Sequence, residues 1–225
     1  MEFLIDTANL EFISQYINKL PISGVTTNPS IIKKENNIDF WTHFKEVKNL
    51  TGGKRTLHIQ VTANHLEDIM KEAEYIVERL GKDVYIKIPV TIEGLNAINI
   101  LKKRGYSITA TAIYTKLQGL LAMEAGADYI APYYNRMQNL DINSDEVISI
   151  FANNIEKYNY NTKILAASFK NLMQVNNAIK YGAQAITLPK ELFIDIFKMP
   201  AINKAVADFR NDWDEMYKGA NIYDL

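Results

Sequence analysis

The chain alternates short apolar runs with longer amphipathic stretches. Eight runs read as strands: 3–7 (FLIDT), 24–28 (GVTTN), 56–61 (TLHIQV), 84–90 (VYIKIPV), 107–113 (SITATAI), 129–134 (YIAPYY), 163–169 (KILAASF) and 185–189 (AITLP). Several are nearly continuous in apolar residues, the pattern of a parallel sheet covered on both faces. Between them the apolar period changes to that of a helix. Leu66, Ile69, Met70, Ala73, Ile76, Val77 and Leu80 predict a helix after the third run, and Leu95, Ile98 and Leu101 predict one after the fourth. Thr91 is placed to cap the latter, with Glu93 in its first turn near the positive end of the helix dipole. Gly81, Gly105 and Gly182 stand where helices should stop.

Eight strand–helix units in 225 residues suit an α/β fold of the closed (β/α)8 TIM-barrel type, whose usual size is about 250 residues. An open doubly wound sheet is the rival architecture. It usually carries a glycine-rich turn after its first strand, whereas this chain reads Asp6-Thr7-Ala8-Asn9 there. The barrel is expected over residues 1–200. Residues 201–225 carry one further helix, with Ile202, Val206, Phe209, Trp213 and Met216 on one stripe. That stripe either covers the chain's own barrel or lies on a neighbouring subunit. The second expectation is favoured, because the eight units are complete without it.

Composition narrows the function. Hydrophobic residues make up 48% of the chain and charged residues 23%, enough for a large core and a solvated exterior. A net charge of −1 supplies no global field for nucleic acid or an anionic membrane. Lys33-Lys34 and Lys102-Lys103-Arg104 read as solvated loop and helix faces. The absence of cysteine excludes disulfides, thiolate metal sites and cysteine nucleophiles. The acidic start at residues 1–6 does not match a signal peptide, and no apolar run approaches the ~18 residues of a membrane span. A soluble, cytoplasmic protein is expected.

In a barrel the chemistry gathers at the C-terminal ends of the strands. The polar residues there are Asp6 on the first run and Thr26 and Asn28 on the second. Gln60 follows on the third, with His58 one layer beneath it, then Lys87 on the fourth and Thr109 and Thr111 on the fifth. Tyr133 ends the sixth, with Arg136 just beyond, and Ser168 ends the seventh. Most have an ordinary structural reading as well. The threonines are β-branched and favoured in strands. Asp6 suits a helix cap, Asn28 before Pro29 suits a turn, Ser168 is a small filler, and His58 suits a hydrogen-bonded core position. His43 and His65 lack the spacing of metal ligands, so no metal site is expected.

Lys87 is harder to explain structurally. A charged side chain mid-strand in a barrel has no easy route to water, and lysine is almost never buried without a partner. A salt bridge to Asp6 is one explanation. The other is a buried amine, eased toward its neutral form by desolvation, that attacks a carbonyl to form a Schiff base.

With these positions assembled, the chain resembles the small transaldolase-like family of class I aldolases. The resemblance runs nearly end to end. It rests on Asp6-Thr7, GVTTNPSII at 24–32, Gln60-Val61, KIPVTIEGLNAI at 87–98, TAIY at 111–114 and QGLLA at 118–122. AGADYIAPYYNR at 125–136, LAASFK at 165–170 and AITLP at 185–189 complete it. It implies a TIM barrel, Schiff-base chemistry on Lys87 without metal or organic cofactor, and assembly into a decamer of two pentameric rings. It also implies that fructose 6-phosphate is reversibly cleaved to dihydroxyacetone and glyceraldehyde 3-phosphate. Tyr133 would handle protons, directly or through a water held by Gln60 and Thr111. Asp6 would orient the amine. Thr26 would belong to the donor pocket, Asn28 and Ser168 would bind donor hydroxyls, and Arg136 would take the phosphate. The alternative activity is that of a transaldolase, which passes the dihydroxyacetone unit to an aldehyde acceptor. The family's transaldolases carry glutamate at the Gln60 position and phenylalanine at the Tyr133 position. The chain departs from the family's best-known form at His58, where a bulky apolar residue is usual, and at Ala110, where a glycine is usual. A binding barrel without turnover would predict a damaged constellation, and a phosphosugar isomerase would want a glutamate at a strand end. Neither is seen.

Overall fold

The computed structural model describes residues 1–225. Its strands alternate with one or two helices: β1 (Glu2–Asp6), α1 (Leu10–Tyr16), β2 (Gly24–Thr26), α2 (Pro29–Ile32), α3 (Phe40–Thr51), β3 (Thr56–Gln60), α4 (Leu66–Leu80), β4 (Val84–Pro89) and α5 (Ile92–Lys103). They continue through β5 (Ser107–Ile113), α6 (Lys116–Glu124), β6 (Tyr129–Pro132), α7 (Tyr134–Asn139), α8 (Ser144–Tyr158), β7 (Lys163–Ala166), α9 (Leu172–Lys180) and β8 (Ala185–Pro189). The eight strands close into a parallel barrel in sequence order, β1 pairing with β8. The expected (β/α)8 architecture is therefore present. Residues Met1–Lys190 form one compact unit and Glu191–Leu225 a second. The second unit carries most of α10 (Lys190–Asp195) and all of α11 (Pro200–Tyr217).

The barrel has two apolar layers because its strands are covered twice. Ile5, Val25, Ile59, Ile86, Ile108 and Ile186 are fully buried. The strand register places them on the outer face, under the helices. Each such side chain contributes about 1.5–3 kcal/mol of burial. Local signals set the helices. α4 buries Ile69, Ala73, Ile76 and Leu80 at the predicted spacing and ends at Gly81. The Thr91 hydroxyl accepts from the Gly94 N–H at 2.9 Å, capping α5. Gly94 is required by closeness: a Cβ there would lie 2.0 Å from the Pro89 carbonyl oxygen at the end of β4. One basic stretch departs from the expectation of a purely solvated face. Lys102 bonds both carboxylate oxygens of Asp128, at 2.7 and 2.8 Å, and Arg104 pairs with Glu74.

Strand alternation fails at one place. Thr111 continues the inward row of β5, and strict alternation would put Ile113 inside as well. Instead Ala112 adopts a left-handed conformation with φ of 58°, and the β5–β6 register shifts. Ile113 then pairs with Pro132 and is buried on the outer side. This is a β-bulge, a device that re-aims side chains near barrel rims.

The lower end of the barrel is filled. Leu4, Tyr129, Leu165 and Ala185 form a cluster with Tyr85 against it. The His58 ring stacks on Tyr85, centroids 4.7 Å apart, and meets Tyr129 edge-on at 5.3 Å. The Glu2 carboxylate accepts from the Tyr129 hydroxyl at 2.7 Å and from Lys163 Nζ at 2.6 Å.

In the second unit, α11 leaves Val206, Phe209 and Met216 exposed, while Trp213 is half-buried. The Trp213 ring packs on Tyr217, and its Nε1–H donates to the Ala220 carbonyl at 2.7 Å.

Candidate active site

Residues opposite one another in a parallel sheet point to the same face, so the register identifies the interior. Asp6 lies opposite Thr26, Thr26 opposite His58, Gln60 opposite Lys87, Lys87 opposite Thr109 and Pro89 opposite Thr111. The expected row of polar side chains thus faces inward, at the C-terminal ends of the strands.

Lys87 is 2% exposed. Its Nζ donates to the main-chain carbonyl of Thr27 at 3.2 Å. It makes no salt bridge with Asp6, so the ion-pair explanation raised by the sequence does not hold. The Asp6 carboxylate instead accepts from the Thr26 hydroxyl at 2.6 Å. Burial raises the Asp6 pKa above its ordinary value, and the positive charge of Lys87 and the Thr26 bond only partly oppose this. The Thr26 hydroxyl also meets that of Thr187 on β8 at 2.6 Å, and both threonines are buried. Thr187 is a member of the site that the sequence did not suggest. It sits among apolar neighbours in β8, where a threonine reads as strand filler.

Gln60, beside Lys87 on β3, has a buried amide oxygen with no hydrogen-bond partner. An unpaired buried acceptor costs about 1–3 kcal/mol unless a ligand or water satisfies it. The loop after Gln60 is held by Glu72, whose carboxylate accepts from the N–H groups of Thr62 and Ala63 and from the Thr62 hydroxyl. Gln60 also borders a cavity of about 600 Å³ walled by Pro29, Ile32, Phe40, Trp41, Tyr75 and Ile76. Its walls are mostly apolar, although Lys33 and Lys71 also line it, and the polar barrel mouth is the better candidate site for a phosphorylated sugar.

A second group forms at the ends of the neighbouring strands, β5 and β6. The Thr111 hydroxyl donates to the Tyr133 hydroxyl at 3.1 Å. The guanidinium of Arg136 lies 4.7 Å from the centre of the Tyr133 ring. Arg136 also donates from Nη1 to the Tyr114 hydroxyl at 3.2 Å, and this bond raises its pKa further. Tyr114, the residue after the β5 bulge segment, is another member that the sequence did not single out. Tyr133 was expected at the end of the sixth strand. The strand stops at Pro132, and Tyr133 stands between it and α7, in a bridge to Ala167 just after β7 and with its N–H donating to the Ile113 carbonyl of β5 at 3.0 Å.

Asn28 and Ser168 lie at the mouth but outside the strands. The Asn28 side-chain oxygen caps α2 by accepting from the Ile31 N–H at 3.0 Å, which leaves its NH2 group free to donate. Ser168 holds a left-handed conformation with φ of 64°, and its carbonyl accepts from the Asn135 N–H at 3.0 Å. A non-glycine residue in that region is strained, and such strain gathers at functional sites. His58 lies below Gln60, bonded through both ring nitrogens to threonines, and Ala110 is fully buried. No group of three or more His, Asp or Glu side chains comes together in a metal-binding arrangement.

The arrangement is a buried amine with an unsatisfied amide oxygen on the strand to one side and, on the other, a hydroxyl pair with a cation behind it. Comparison with known proteins agrees with its character. The family described as transaldolase/fructose-6-phosphate aldolase matches residues 3–222. A curated protein of Streptococcus pneumoniae (strain ATCC 700669 / Spain 23F-1), named probable fructose-6-phosphate aldolase, is 53% identical over 213 residues. That match covers 95% of this chain and 96% of the relative. The chain therefore belongs to the transaldolase/fructose-6-phosphate aldolase family.

Proposed function

We propose that this member of the family is a class I, Schiff-base aldolase that reversibly cleaves fructose 6-phosphate to dihydroxyacetone and glyceraldehyde 3-phosphate. The observation that carries the reading is Lys87: a 2% exposed amine, inward on β4, held by a neutral carbonyl and no carboxylate. A neutral acceptor holds the nitrogen without pinning it in an ion pair, which leaves it free to move onto a ketone.

The Lys87 amine adds to the ketone carbon of the sugar, and loss of water from the carbinolamine gives an iminium. Removal of the C4 hydroxyl proton then lets the C3–C4 bond break. Its electron pair flows to the iminium nitrogen, leaving an enamine and releasing glyceraldehyde 3-phosphate. Protonation of the enamine carbon and addition of water release dihydroxyacetone and restore the amine. Tyr133, hydrogen-bonded to Thr111, handles these protons directly or through a water held by Gln60. Asp6, held by Thr26, orients the amine and stabilises positive charge near it. Asn28 and Ser168 bind the donor hydroxyls, and Arg136 offers its remaining donors to the phosphate.

Transaldolase activity is the second reading. A carboxylate at position 60 can take a proton from the catalytic water and an amide cannot, so Gln60 favours cleavage. The exposed apolar face of α11 supports a homo-oligomer in which this helix packs on a neighbour, a decamer by family resemblance; a cytoplasmic setting suits a family of sugar-phosphate enzymes.

Borohydride reduction in the presence of dihydroxyacetone should leave a mass adduct on Lys87. Fructose 6-phosphate should be cleaved without added acceptor. Product formed only with erythrose 4-phosphate present would assign transaldolase instead. Gln60→Glu should raise the ratio of transfer to cleavage, and an unchanged ratio would remove the role given to Gln60.

A further inference from the structure

His58 is buried beside the amine and takes no part in the mechanism above. Its ring is held at both nitrogens: Nδ1 meets the Thr109 hydroxyl at 2.8 Å and Nε2 the Thr56 hydroxyl at 2.9 Å. The Thr56 hydroxyl in turn donates to the Ser23 carbonyl at 3.5 Å. A hydroxyl has one proton to give, so Thr56 accepts from an Nε2–H, and the bare Nδ1 accepts from Thr109. The ring thereby ties β3 to β5 across the inner face of β4, stacked on Tyr85 two residues before Lys87. Gly24 makes the tie possible: a Cβ there would lie 2.1 Å from the Thr56 hydroxyl oxygen. Burial and the nearby Lys87 charge push the imidazole pKa down to about 3, so it stays neutral.

The main chain of His58 matters as much. Its carbonyl accepts twice from Thr27, from the N–H and from the hydroxyl, each at 3.1 Å. The Thr27 carbonyl is the group that holds Lys87 Nζ. The amine is therefore reached from the ring tie in two steps, through His58 and then Thr27.

We propose that His58 and Thr27 are positioning residues for Lys87, forming a neutral cradle that fixes where the amine stands before it meets a ketone. This rests on Lys87 being the Schiff-base nucleophile. The clamped ring sets the height of the His58 carbonyl, the double bond from Thr27 sets its carbonyl, and that carbonyl directs the nitrogen. A hydroxyl-specific role follows for Thr27, separate from the fit of its side chain.

The test compares Thr27→Val with Thr27→Ser, and Thr109→Val with Thr109→Ser. Each is measured for kcat, KM for fructose 6-phosphate, and the rate of borohydride-trapped adduct formation with dihydroxyacetone. Thr27→Val should lower kcat and the trapping rate together by about tenfold, with KM changed by less than about twofold, as a small misplacement of a reacting group does. Thr27→Ser should recover most of the rate, and the Thr109 pair should show the same split with a smaller loss. If Thr27→Val does not fold, the Thr109 pair decides. Valine variants that lose thermal stability yet keep kcat and trapping rate would overturn the cradle, as would serine variants no better than valine. A wild-type protein that forms no adduct on Lys87 would instead overturn the Schiff-base reading itself.

Discussion

The two ends of the barrel solve opposite problems. At the lower end each polar group that enters the interior is answered: Glu2 by Tyr129 and Lys163, and His58 by Thr56 and Thr109. At the mouth the accounts stay open. The Gln60 oxygen has no partner, and Ala112 and Ser168 hold left-handed conformations. The carboxyls make the contrast sharpest. Burial raises the pKa of Glu2, but bonds from Lys163 and Tyr129 outweigh it, and the net shift is downward. For Asp6 burial prevails, and the net shift is upward. A charged Glu2 therefore stabilises the fold, while a charged Asp6 costs it stability. The lower end is built to hold, and the mouth keeps groups in reserve for a ligand.

Substitutions can test that division. Lys87→Met should have the largest effect, removing at least about 10³-fold of activity and the borohydride adduct while leaving the circular dichroism spectrum unchanged. Asp6→Asn should lower turnover yet raise the melting temperature at neutral pH. The sign follows from linkage. A carboxyl whose folded pKa lies above its unfolded value of 3.8 gives its greatest stability below that value, and loses it as pH rises through the folded pKa. Glu2→Gln should show the reverse. The stabilisation from Glu2 is present above its unfolded value of 4.5 and is lost as pH falls through its depressed folded pKa. At neutral pH the loss should be about 1 kcal/mol, or ~2–4 °C in melting temperature, with kcat unaffected. A kcat that falls with Glu2→Gln would erase the distinction between the two ends. The smallest expected effect is that of Ala112→Gly, which should relieve left-handed strain and stabilise by about 0.5–1 kcal/mol after the entropic cost of glycine.

How much of this was legible beforehand depends on what a side chain reveals. The α4 stripe, the Thr91 cap and the out-of-place Lys87 all carry their reasons in residue type and spacing, so the sequence shows them. The bulge does not. Ala112 is an ordinary small residue, and alternation reads straight through it, although its φ of 58° turns Ile113 out of the barrel. Tyr133 reads as strand because the apolar run continues past Pro132; it keeps a sheet bridge to Ala167, but the continuous strand ends before it and α7 begins one residue later. Thr187 is disguised by its apolar neighbours. The Thr27 carbonyl is invisible in principle, since every residue carries the same main-chain acceptor and only the folded path selects which one meets Lys87. The salt bridge to Asp6 was chemically reasonable. It failed because the carboxylate found a nearer donor in Thr26.

The placement of Tyr133 bears on how such a catalyst can change. The proposed nucleophile is anchored mid-strand in the barrel wall, whereas the hydroxyl proposed to handle protons stands on the residue before a short helix, at a junction held by main-chain bonds to Ile113, Ala167 and Ser168. Mutations that lengthen, shorten or reseat α7 can move that hydroxyl while leaving the amine's surroundings intact. On the proposed mechanism, evolution or an engineer would retune which partner the enamine prefers by working on six helical residues, without reopening the part of the barrel that carries the proposed nucleophile.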